Sequence, residues 1–423
     1  MKLNRRHFIK ATGAGLALAN FPSIIHATTT PRVIVIGGGF AGATVAKYIR
    51  MWSGQTVDVT LVDPKQQHTS CVLSNLILNK QLPLSQLKMS YTHLQSSYGV
   101  NVVRDRAVEI NAPGNQVRLK RGGWQPYDKL VIATGIGFKK PNGLNSKQSP
   151  HAWIAGSQTK LLAKQLGNLN QDSHFIMTIP KSPYRCPPGP YERACLIADM
   201  FASKGYTSGD NPRVTVLDAN TGIQAERDTF SRAFNNLYAN VLEYIPNADV
   251  FSVDSSAGVV NTSAGEYQGD ILNIIPQNRA TGFVRKEGLT DGGNWAPVNP
   301  VTYESEFSEF QGIHIIGDSQ NTSQPKSAHM ANAQAKICAD AILRSLYGLP
   351  TDTIERLDNI TTNSACYSPI TKNKASWLTA NYRYNPDLET MELKHVGEAE
   401  KWDSENHKQM FVWASNLFTD CFG

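Results

Sequence analysis

The sequence predicts an α/β fold with two Rossmann-like domains, followed by an α+β interface domain at the C-terminus. A β-branched strand, a glycine-rich turn and a helical stretch follow one another within residues 32–51, and this order indicates the first domain. A second strand then ends in Asp63. Two later strands, at 174–179 and 214–217, predict that a second domain of the same kind follows.

The glycine-rich turn has the spacing G-x-G-x-x-G. Gly37 allows a tight turn, Gly39 lets a pyrophosphate approach the backbone, and Gly42 lets the helix pack on the strand. Asp63 lies 21 residues beyond Gly42, where an acid accepts hydrogen bonds from ribose hydroxyls. The segment therefore predicts a dinucleotide site, and the acid favours an adenosine ribose without a 2′-phosphate.

Length and charge narrow the class of protein. A chain of 423 residues is long enough for two or three domains with sizeable cores. It has 41 basic and 35 acidic residues, and four of the basic ones lie within the first ten positions, which leaves 37 against 35 in the remainder. This near-neutral remainder has no run of Lys or Arg, so we expect no nucleic-acid or anionic-membrane partner.

The first 27 residues have the pattern of a twin-arginine signal peptide. Arg5 and Arg6 stand shortly before Phe8, and a weakly apolar stretch spans 11–25. Proteins on this route are exported folded, commonly around a cofactor. The segment predicts a periplasmic protein with a bound redox cofactor. No other stretch approaches the roughly 18 to 20 apolar residues of a membrane span, so we expect no integral span.

The cysteines are widely spaced. No C-x-x-C, zinc-like cluster or C-x-x-C-H sequence occurs, so we expect neither a metal site nor a covalently bound haem in this chain. Disulfides are permitted in the periplasm, and the composition does not choose among the pairings. The six are Cys71, Cys186, Cys195, Cys338, Cys366 and Cys421.

Two further segments resemble motifs of disulfide-reductase flavoproteins, which have two dinucleotide-binding domains. A strand ending at Thr134 and Gly135 is similar to their "ATG" motif, and a strand ending at Gly317 and Asp318 resembles their late "GD" motif. In that family the acid of the second motif holds the ribityl chain of the flavin. The resemblance implies that the cofactor is FAD and that Asp318 binds it. A helix N-cap role for Asp318 is compatible with this.

The second domain departs from that family at its nucleotide motif. The relatives have a second glycine-rich turn there for NAD(P)H, whereas strand 174–179 runs into the proline-rich segment 180–192. Prolines and long side chains obstruct a pyrophosphate and remove amide donors. We therefore expect the second domain to keep the fold without binding NAD(P). Asp218, the acid that follows strand 214–217, is not by itself evidence for NAD(P) binding.

The most specific string is 184–194, which contains Cys186. It resembles the superfamily of sulfide:quinone oxidoreductases and flavocytochrome c sulfide dehydrogenases. Three other segments, at 69–75, 365–368 and 418–423, look like the flavoprotein subunits of the latter. The resemblance covers essentially the whole chain, including the signal segment.

This resemblance implies a role for several side chains. Cys71 would form a thioether with the 8α-methyl group of the flavin, and Cys186 and Cys366 would form a redox-active disulfide beside it. For either cysteine alone, a structural thiol or structural disulfide is the alternative. Glu192 would handle protons near the disulfide, although a glutamate in the first turn of a helix is also favoured by the helix dipole. The remaining cysteines are interpreted as inert: Cys195, Cys338 and Cys421.

The implied activity is oxidation of sulfide to sulfane sulfur or polysulfide. Hydrosulfide attacks the disulfide, electrons pass to FAD, and a c-type cytochrome on a separate chain accepts them. Two alternatives stay open. One is a sulfide:quinone oxidoreductase. The other is an electron-transfer or persulfide-carrying subunit that does not turn over free sulfide.

Lys326, just after Asp318, is interpreted either as a positive group near the flavin or as a solvated lysine.

The predicted organisation has five parts. They are a signal peptide (1–27), the first part of the FAD domain (28–150), a degenerate second dinucleotide domain (151–275), the second part of the FAD domain (276–345) and the interface domain (346–423).

Overall fold

The computed structural model describes residues 30–209 and 212–423, so the predicted signal peptide lies outside the described residues. In the first segment, β1, β2, β5 and β9 pair in parallel. The elements up to residue 139 are β1 (Arg32–Ile36), α1 (Phe40–Trp52), β2 (Asp58–Val62), β3 (Gln67–Thr69), β4 (Lys88–Ser90), α2 (Thr92–Tyr98), β5 (Asn101–Val103), β6 (Ala107–Asn111), β7 (Gln116–Leu119), β8 (Gly123–Pro126), β9 (Lys129–Ile132) and β10 (Ile136–Lys139).

The second segment contains another parallel sheet, with β13, β12, β11 and β17 side by side. Its central strand β11 is buried along its whole length, as expected for a parallel strand covered on both faces. The elements are α3 (Ser157–Leu166), β11 (Phe175–Ile179), α4 (Gly189–Ala202), β12 (Val214–Asp218), α5 (Arg227–Arg232), β13 (Leu242–Ile245), β14 (Val250–Asp254), β15 (Val259–Thr262), β16 (Gly265–Gln268), β17 (Ile271–Ile274) and β18 (Gln277–Ala280).

The last segment returns to the first sheet and then leaves it. Strand β19 pairs in parallel with β9, which gives the order β19-β9-β1-β2-β5. Strands β20, β21 and β22 then form a separate antiparallel sheet. The elements are α6 (Gly282–Lys286), β19 (Ile313–Ile315), α7 (Ala328–Leu346), α8 (Ile354–Asn359), β20 (Thr361–Thr371), β21 (Lys374–Asn385), β22 (Thr390–Glu398) and α9 (Ser404–Phe422). The predicted fold class is confirmed.

Helix α9 packs against β21 and α1. The Lys47 ammonium group, on α1, donates to the carbonyl oxygens of Thr419 and Asp420 at 3.2 and 3.0 Å. A cation at these carbonyls satisfies acceptors that the last helical turn leaves open. Among the described residues, none of the helices combines the length and the apolar character needed to cross a bilayer.

One buried guanidinium group joins the two Rossmann-like domains. Arg193, on α4, is 1% exposed. It donates to the side-chain oxygens of Asn75 and Asn273, both at 2.9 Å, and to the carbonyl oxygens of His151 and Ala152 at 2.9 and 2.8 Å. These acceptors belong to the first domain, to β17 and to the segment between the domains. Arg193 thus fixes α4 relative to the first domain.

We predict that Arg193→Met destabilises the protein by about 3–5 kcal/mol, because it removes the donors from buried acceptors. Urea unfolding followed by far-UV circular dichroism measures this. Arg118 is the control, since its ion pair with Glu109 is half exposed, and Arg118→Met is expected to cost less than about 1 kcal/mol. Equal losses in the two variants would contradict the account.

Candidate active site

A cavity of about 500 Å³ lies at the carboxyl ends of β1, β2 and β9. Nearly every residue predicted to bind the cofactor lines it; Gly42 is the exception. Those lining it are Gly37, Gly39, Asp63, Cys71, Thr134, Gly135, Gly317 and Asp318.

The glycine positions have steric reasons that the structure makes explicit. Gly37 has a φ of +102°, and a Cβ atom on it would lie 2.5 Å from the Ala133 carbonyl oxygen. A Cβ atom on Gly42 would lie 1.8 Å from the Gly37 carbonyl oxygen, so Gly42 acts where α1 meets β1 and not at the cavity wall. Both positions therefore require glycine.

Asp63 follows β2 at the edge of the cavity. Its two carboxylate oxygens accept hydrogen bonds from the backbone amides of Gly38 and Lys65, each at 2.7 Å. These bonds fix the carboxylate beside the glycine-rich turn. Each oxygen keeps lone-pair capacity, so Asp63 can also accept from a hydroxyl group in the cavity.

Two polar atoms in the cavity wall have no hydrogen-bond partner among the described residues: Asp318 Oδ1 and His68 Nε2. Burial raises the pKa of Asp318 and lowers the pKa of His68 to about 3, so the imidazole is neutral. Buried polar atoms are normally paired. The cavity therefore fits a hydroxylated, phosphate-containing ligand such as FAD, whose hydroxyl groups would pair with these atoms.

Cys71 lies between this cavity and a second one. It lines both, and burial raises the pKa of its thiol. The loop that carries it is fixed by Ser70, whose amide donates to the Leu87 carbonyl oxygen at 2.8 Å. The short helical turn Ser74–Ile77 follows immediately. Cys71 is thus placed on a shared wall by rigid backbone.

The second cavity, about 70 Å³, contains the other two predicted redox cysteines and is called the dithiol cavity below. Cys186 precedes α4, and Cys366 lies on β20. Both are thiols in this structure. A hydrogen bond to Cys366, together with burial, raises the pKa of Cys186 well above its usual value. Two cysteines that are 180 positions apart therefore line the same cavity.

The turn before α4 sets the position of Cys186. Its φ is +59°, its amide donates to the Lys326 carbonyl oxygen at 2.7 Å, and its carbonyl oxygen accepts from Gly189 at 2.9 Å. A Cβ atom on Gly189 would lie 2.8 Å from the Cys186 sulfur. Glycine at this position leaves room for the thiol to face Cys366.

Glu192 lines the dithiol cavity, one helical turn after the start of α4. It is 8% exposed and accepts a hydrogen bond from Asn75 Nδ2 at 2.9 Å. Burial raises its pKa to about 8. The carboxyl group therefore keeps its proton to a higher pH than a free glutamate does, and it lines the same cavity as Cys186.

Lys326 is not a solvated lysine. It is 4% exposed, and its ammonium group lies 3.9 Å from the centroid of the Trp295 ring. It also donates to the Gln320 carbonyl oxygen. Burial lowers its pKa to about 8, although attraction to Asp318 opposes the shift. The cation is enclosed by protein close to the predicted ribityl-binding acid.

The remaining predictions concern residues away from the two cavities. Cys195, Cys338 and Cys421 are buried and line neither cavity. Asp218 accepts hydrogen bonds from the hydroxyl groups of Tyr191 and Tyr244 at 2.8 and 2.7 Å. These hydrogen bonds lie within the second domain, so the Asp218 carboxylate stabilises the packing of that domain.

Several residues of the site were missed by the sequence analysis. Asn75 and Arg193 lie within the segments 69–75 and 184–194, and the charged pair Glu192-Arg193 in the mostly apolar stretch 189–202 was an available signal. The others had no local signal, because long-range folding brings them to the cavities: His68, Trp153, His329 and Trp413.

Comparison with known proteins identifies related families for two parts of the chain. Residues 31–171 match the family described as pyridine nucleotide-disulphide oxidoreductase. Residues 159–276 match the family described as sulfide dehydrogenase [flavocytochrome c] flavoprotein chain, central.

Individual relatives agree with this. The mitochondrial sulfide:quinone oxidoreductase of Mus musculus is 24% identical over 326 residues, 72% of this chain and 69% of that protein. A sulfide dehydrogenase [flavocytochrome c] flavoprotein chain from Chlorobaculum thiosulfatiphilum is 48% identical over 48 residues, 11% of this chain and 98% of that sequence.

Among solved structures, the sulfide:quinone oxidoreductase of Aquifex aeolicus shares the fold. The TM-score is 0.74 at 16% identity, covering 93% of this chain and 91% of that one. The chain therefore has the fold of the pyridine nucleotide-disulphide oxidoreductases, and its sequence is similar to sulfide:quinone oxidoreductases and to flavoprotein chains of flavocytochrome c.

Proposed function

We propose that the chain is the flavoprotein subunit of a periplasmic flavocytochrome c sulfide dehydrogenase. It would oxidise sulfide at a Cys186–Cys366 disulfide and pass the electrons through FAD to a c-type cytochrome. The position of both cysteines in one cavity carries this proposal, because that cavity shares Cys71 with the dinucleotide cavity.

The size of the dithiol cavity supports a small substrate. At about 70 Å³ it has room for a few small ligand atoms, whereas sites for drug-sized ligands measure about 300–1,000 Å³. Hydrosulfide is a small nucleophile and fits this space.

The chemistry follows from disulfide exchange. Hydrosulfide attacks one sulfur atom of the oxidised pair, which breaks the S–S bond, forms a persulfide on the attacked cysteine and releases the other as a thiolate. FAD, when bound, accepts the two electrons removed from the sulfur. Because both cysteines line one cavity, the released thiolate stays close to the persulfide.

Glu192 would donate a proton in this step. With its pKa near 8, the carboxyl group still carries its proton at neutral pH and lies next to Cys186. Donation to a thiolate formed at Cys186 would avoid an uncompensated buried charge. Asn75 holds the carboxyl group in place.

Two candidate electron acceptors follow from different observations. A c-type cytochrome is supported by the match of residues 159–276 to the flavocytochrome c chain family and by the predicted twin-arginine signal. A quinone is supported by the similarity to sulfide:quinone oxidoreductases over most of the chain. We propose the cytochrome as the physiological acceptor and retain the quinone as the second candidate.

Anaerobic stopped-flow mixing with sulfide tests the proposed function. We predict that sulfide rapidly bleaches the flavin absorbance of the wild type and that Cys186→Ser and Cys366→Ser abolish the bleaching. The control is Cys195→Ser, whose thiol lines neither cavity and whose loss is expected to leave the rate unchanged. Supplying cytochrome c or a short-chain quinone as oxidant then identifies the acceptor. Sulfide that leaves the wild-type flavin oxidised would contradict the proposal.

Cys71 is predicted to attach the flavin covalently. Acid precipitation of the wild-type holoprotein should leave the yellow chromophore with the protein pellet, whereas Cys71→Ala should release it into the supernatant. Cys338→Ala serves as the control, because Cys338 is buried in α7 away from both cavities. Release of flavin from the wild type would show that the thioether is not formed.

Glu192→Gln is predicted to slow flavin reduction by sulfide below pH 8 and to flatten its pH dependence. The wild-type carboxyl group has a raised pKa of about 8, so its proton is present below that pH and is lost as the pH rises through it. Glutamine keeps the hydrogen bond to Asn75 but cannot donate a proton to a thiolate. The ratio of wild-type to variant rates isolates Glu192 from the ionisation of sulfide itself. A ratio that does not change between pH 6 and 10 would contradict the role.

A further inference from the structure

A groove on the surface adjoins the dithiol cavity. It measures about 560 Å³ and runs between α7, β20 and α9. It is called the surface groove below. The residues of its wall used in the argument are Asn332 and Lys336 on α7, Asn363 on β20, and Gln409 and Asn416 on α9.

The dithiol cavity lies between the dinucleotide cavity and this groove. It shares Cys71, Arg185 and Ala328 with the dinucleotide cavity. It shares a different set, His329, Tyr367 and Trp413, with the surface groove. The two shared walls have no residue in common. The surface groove and the dinucleotide cavity therefore adjoin the dithiol cavity on different sides.

The three residues shared with the groove form a cluster of rings, called the aromatic gate below. The Trp413 ring centroid lies 6.2 Å from that of His329 and 5.6 Å from that of Tyr367. The backbone amide of Ala365 donates to Nδ1 of His329 at 2.9 Å. This bond links the gate to the residue preceding Cys366, so the gate and the thiol are held by the same strand.

The gate contains an unpaired donor. The Trp413 indole nitrogen is buried and has no hydrogen-bond acceptor among the described residues. A buried donor without a partner is costly, and an anion passing the gate would supply the missing acceptor. The indole can therefore contact an anionic ligand at this point.

The groove beyond the gate is open to solvent and lined by amide groups. Asn363, Gln409 and Asn416 are exposed. The Lys336 ammonium group lies 2.7 Å from the Asp420 carboxylate, so these two charges compensate each other. Neutral amide donors and a paired cation suit a weakly hydrated anion that must pass and not bind tightly.

We propose that anionic sulfur species reach and leave the dithiol cavity through the surface groove and the aromatic gate. This inference rests on the proposed function for the identity of the passing anions. Hydrosulfide enters by this route, and the sulfane chain extends into the groove as it grows. Access to the thiols through the groove is independent of sulfide chemistry, and this allows a separate test.

The test measures how fast thiol reagents reach the two cysteines in the reduced holoprotein. Cys186 and Cys366 are labelled with iodoacetamide or with a bulky maleimide, and peptide mass spectrometry follows each site. Asn416→Trp fills the groove at an exposed position, and we expect it to slow labelling by the maleimide by about tenfold. Trp413→Ala opens the gate and should accelerate the same reaction.

Ser415→Trp is the matched control. Ser415 is exposed on the same helix and is not part of the groove wall, so its labelling rates should equal those of the wild type. Equal rates in Asn416→Trp and Ser415→Trp would overturn the inference, even if Trp413→Ala did not fold.

Sulfide enters the experiment only in a second step. If Asn416→Trp slows both labelling and flavin reduction by sulfide, the groove is the route of the substrate. If Asn416→Trp slows labelling while sulfide fails to reduce even the wild-type flavin, the proposed function is wrong. The groove is then still the route by which reagents reach the two thiols. If Asn416→Trp slows labelling but sulfide reduces its flavin at the wild-type rate, sulfide uses another route and the inference is wrong.

Discussion

The arrangement of the site depends on one buried cation. Because the Arg193 guanidinium group cannot lose its charge cheaply, its donors must be satisfied inside the protein. The acceptors come from the Cys71 loop through Asn75, from β17 through Asn273 and from the segment between the domains. The same residue, Asn75, also holds Glu192. One network therefore places Cys71, Glu192 and the start of α4 relative to one another.

This network does not cause the raised pKa of Glu192, because the hydrogen bond from Asn75 and the charge of Arg193 both lower that pKa. Burial raises the pKa of Glu192 and contributes to the raised pKa of Cys186, so it favours the neutral forms of the acid and the thiol. The hydrogen bond to Cys366 adds to this effect at Cys186.

The local parts of this account could be predicted from the sequence. The glycine spacing with Asp63, and the strand that leads to Asp318, follow from short-range geometry, and both segments line one cavity. The pairing of Cys186 with Cys366 was implied by resemblance to a family and not by spacing, since 180 positions separate them. Lys326 was interpreted as a possible surface lysine, because nothing local shows that Trp295 will cover it. The aromatic gate likewise combines three elements that meet only in the folded chain.

The central claim is that Cys186 and Cys366 form the disulfide that sulfide attacks. Non-reducing peptide mapping of the purified holoprotein, before and after one equivalent of sulfide under anaerobic conditions, tests it most directly. The account predicts a peptide pair linked through Cys186 and Cys366 before the addition. Afterwards it predicts one additional sulfur atom on the pair: separate peptides, one of them a persulfide, while the flavin is still oxidised, and peptides linked through the added sulfur once FAD has accepted the two electrons. Two unlinked cysteines in the oxidised protein, or a flavin reduced by sulfide while no added sulfur is found on either cysteine at any time, would contradict it.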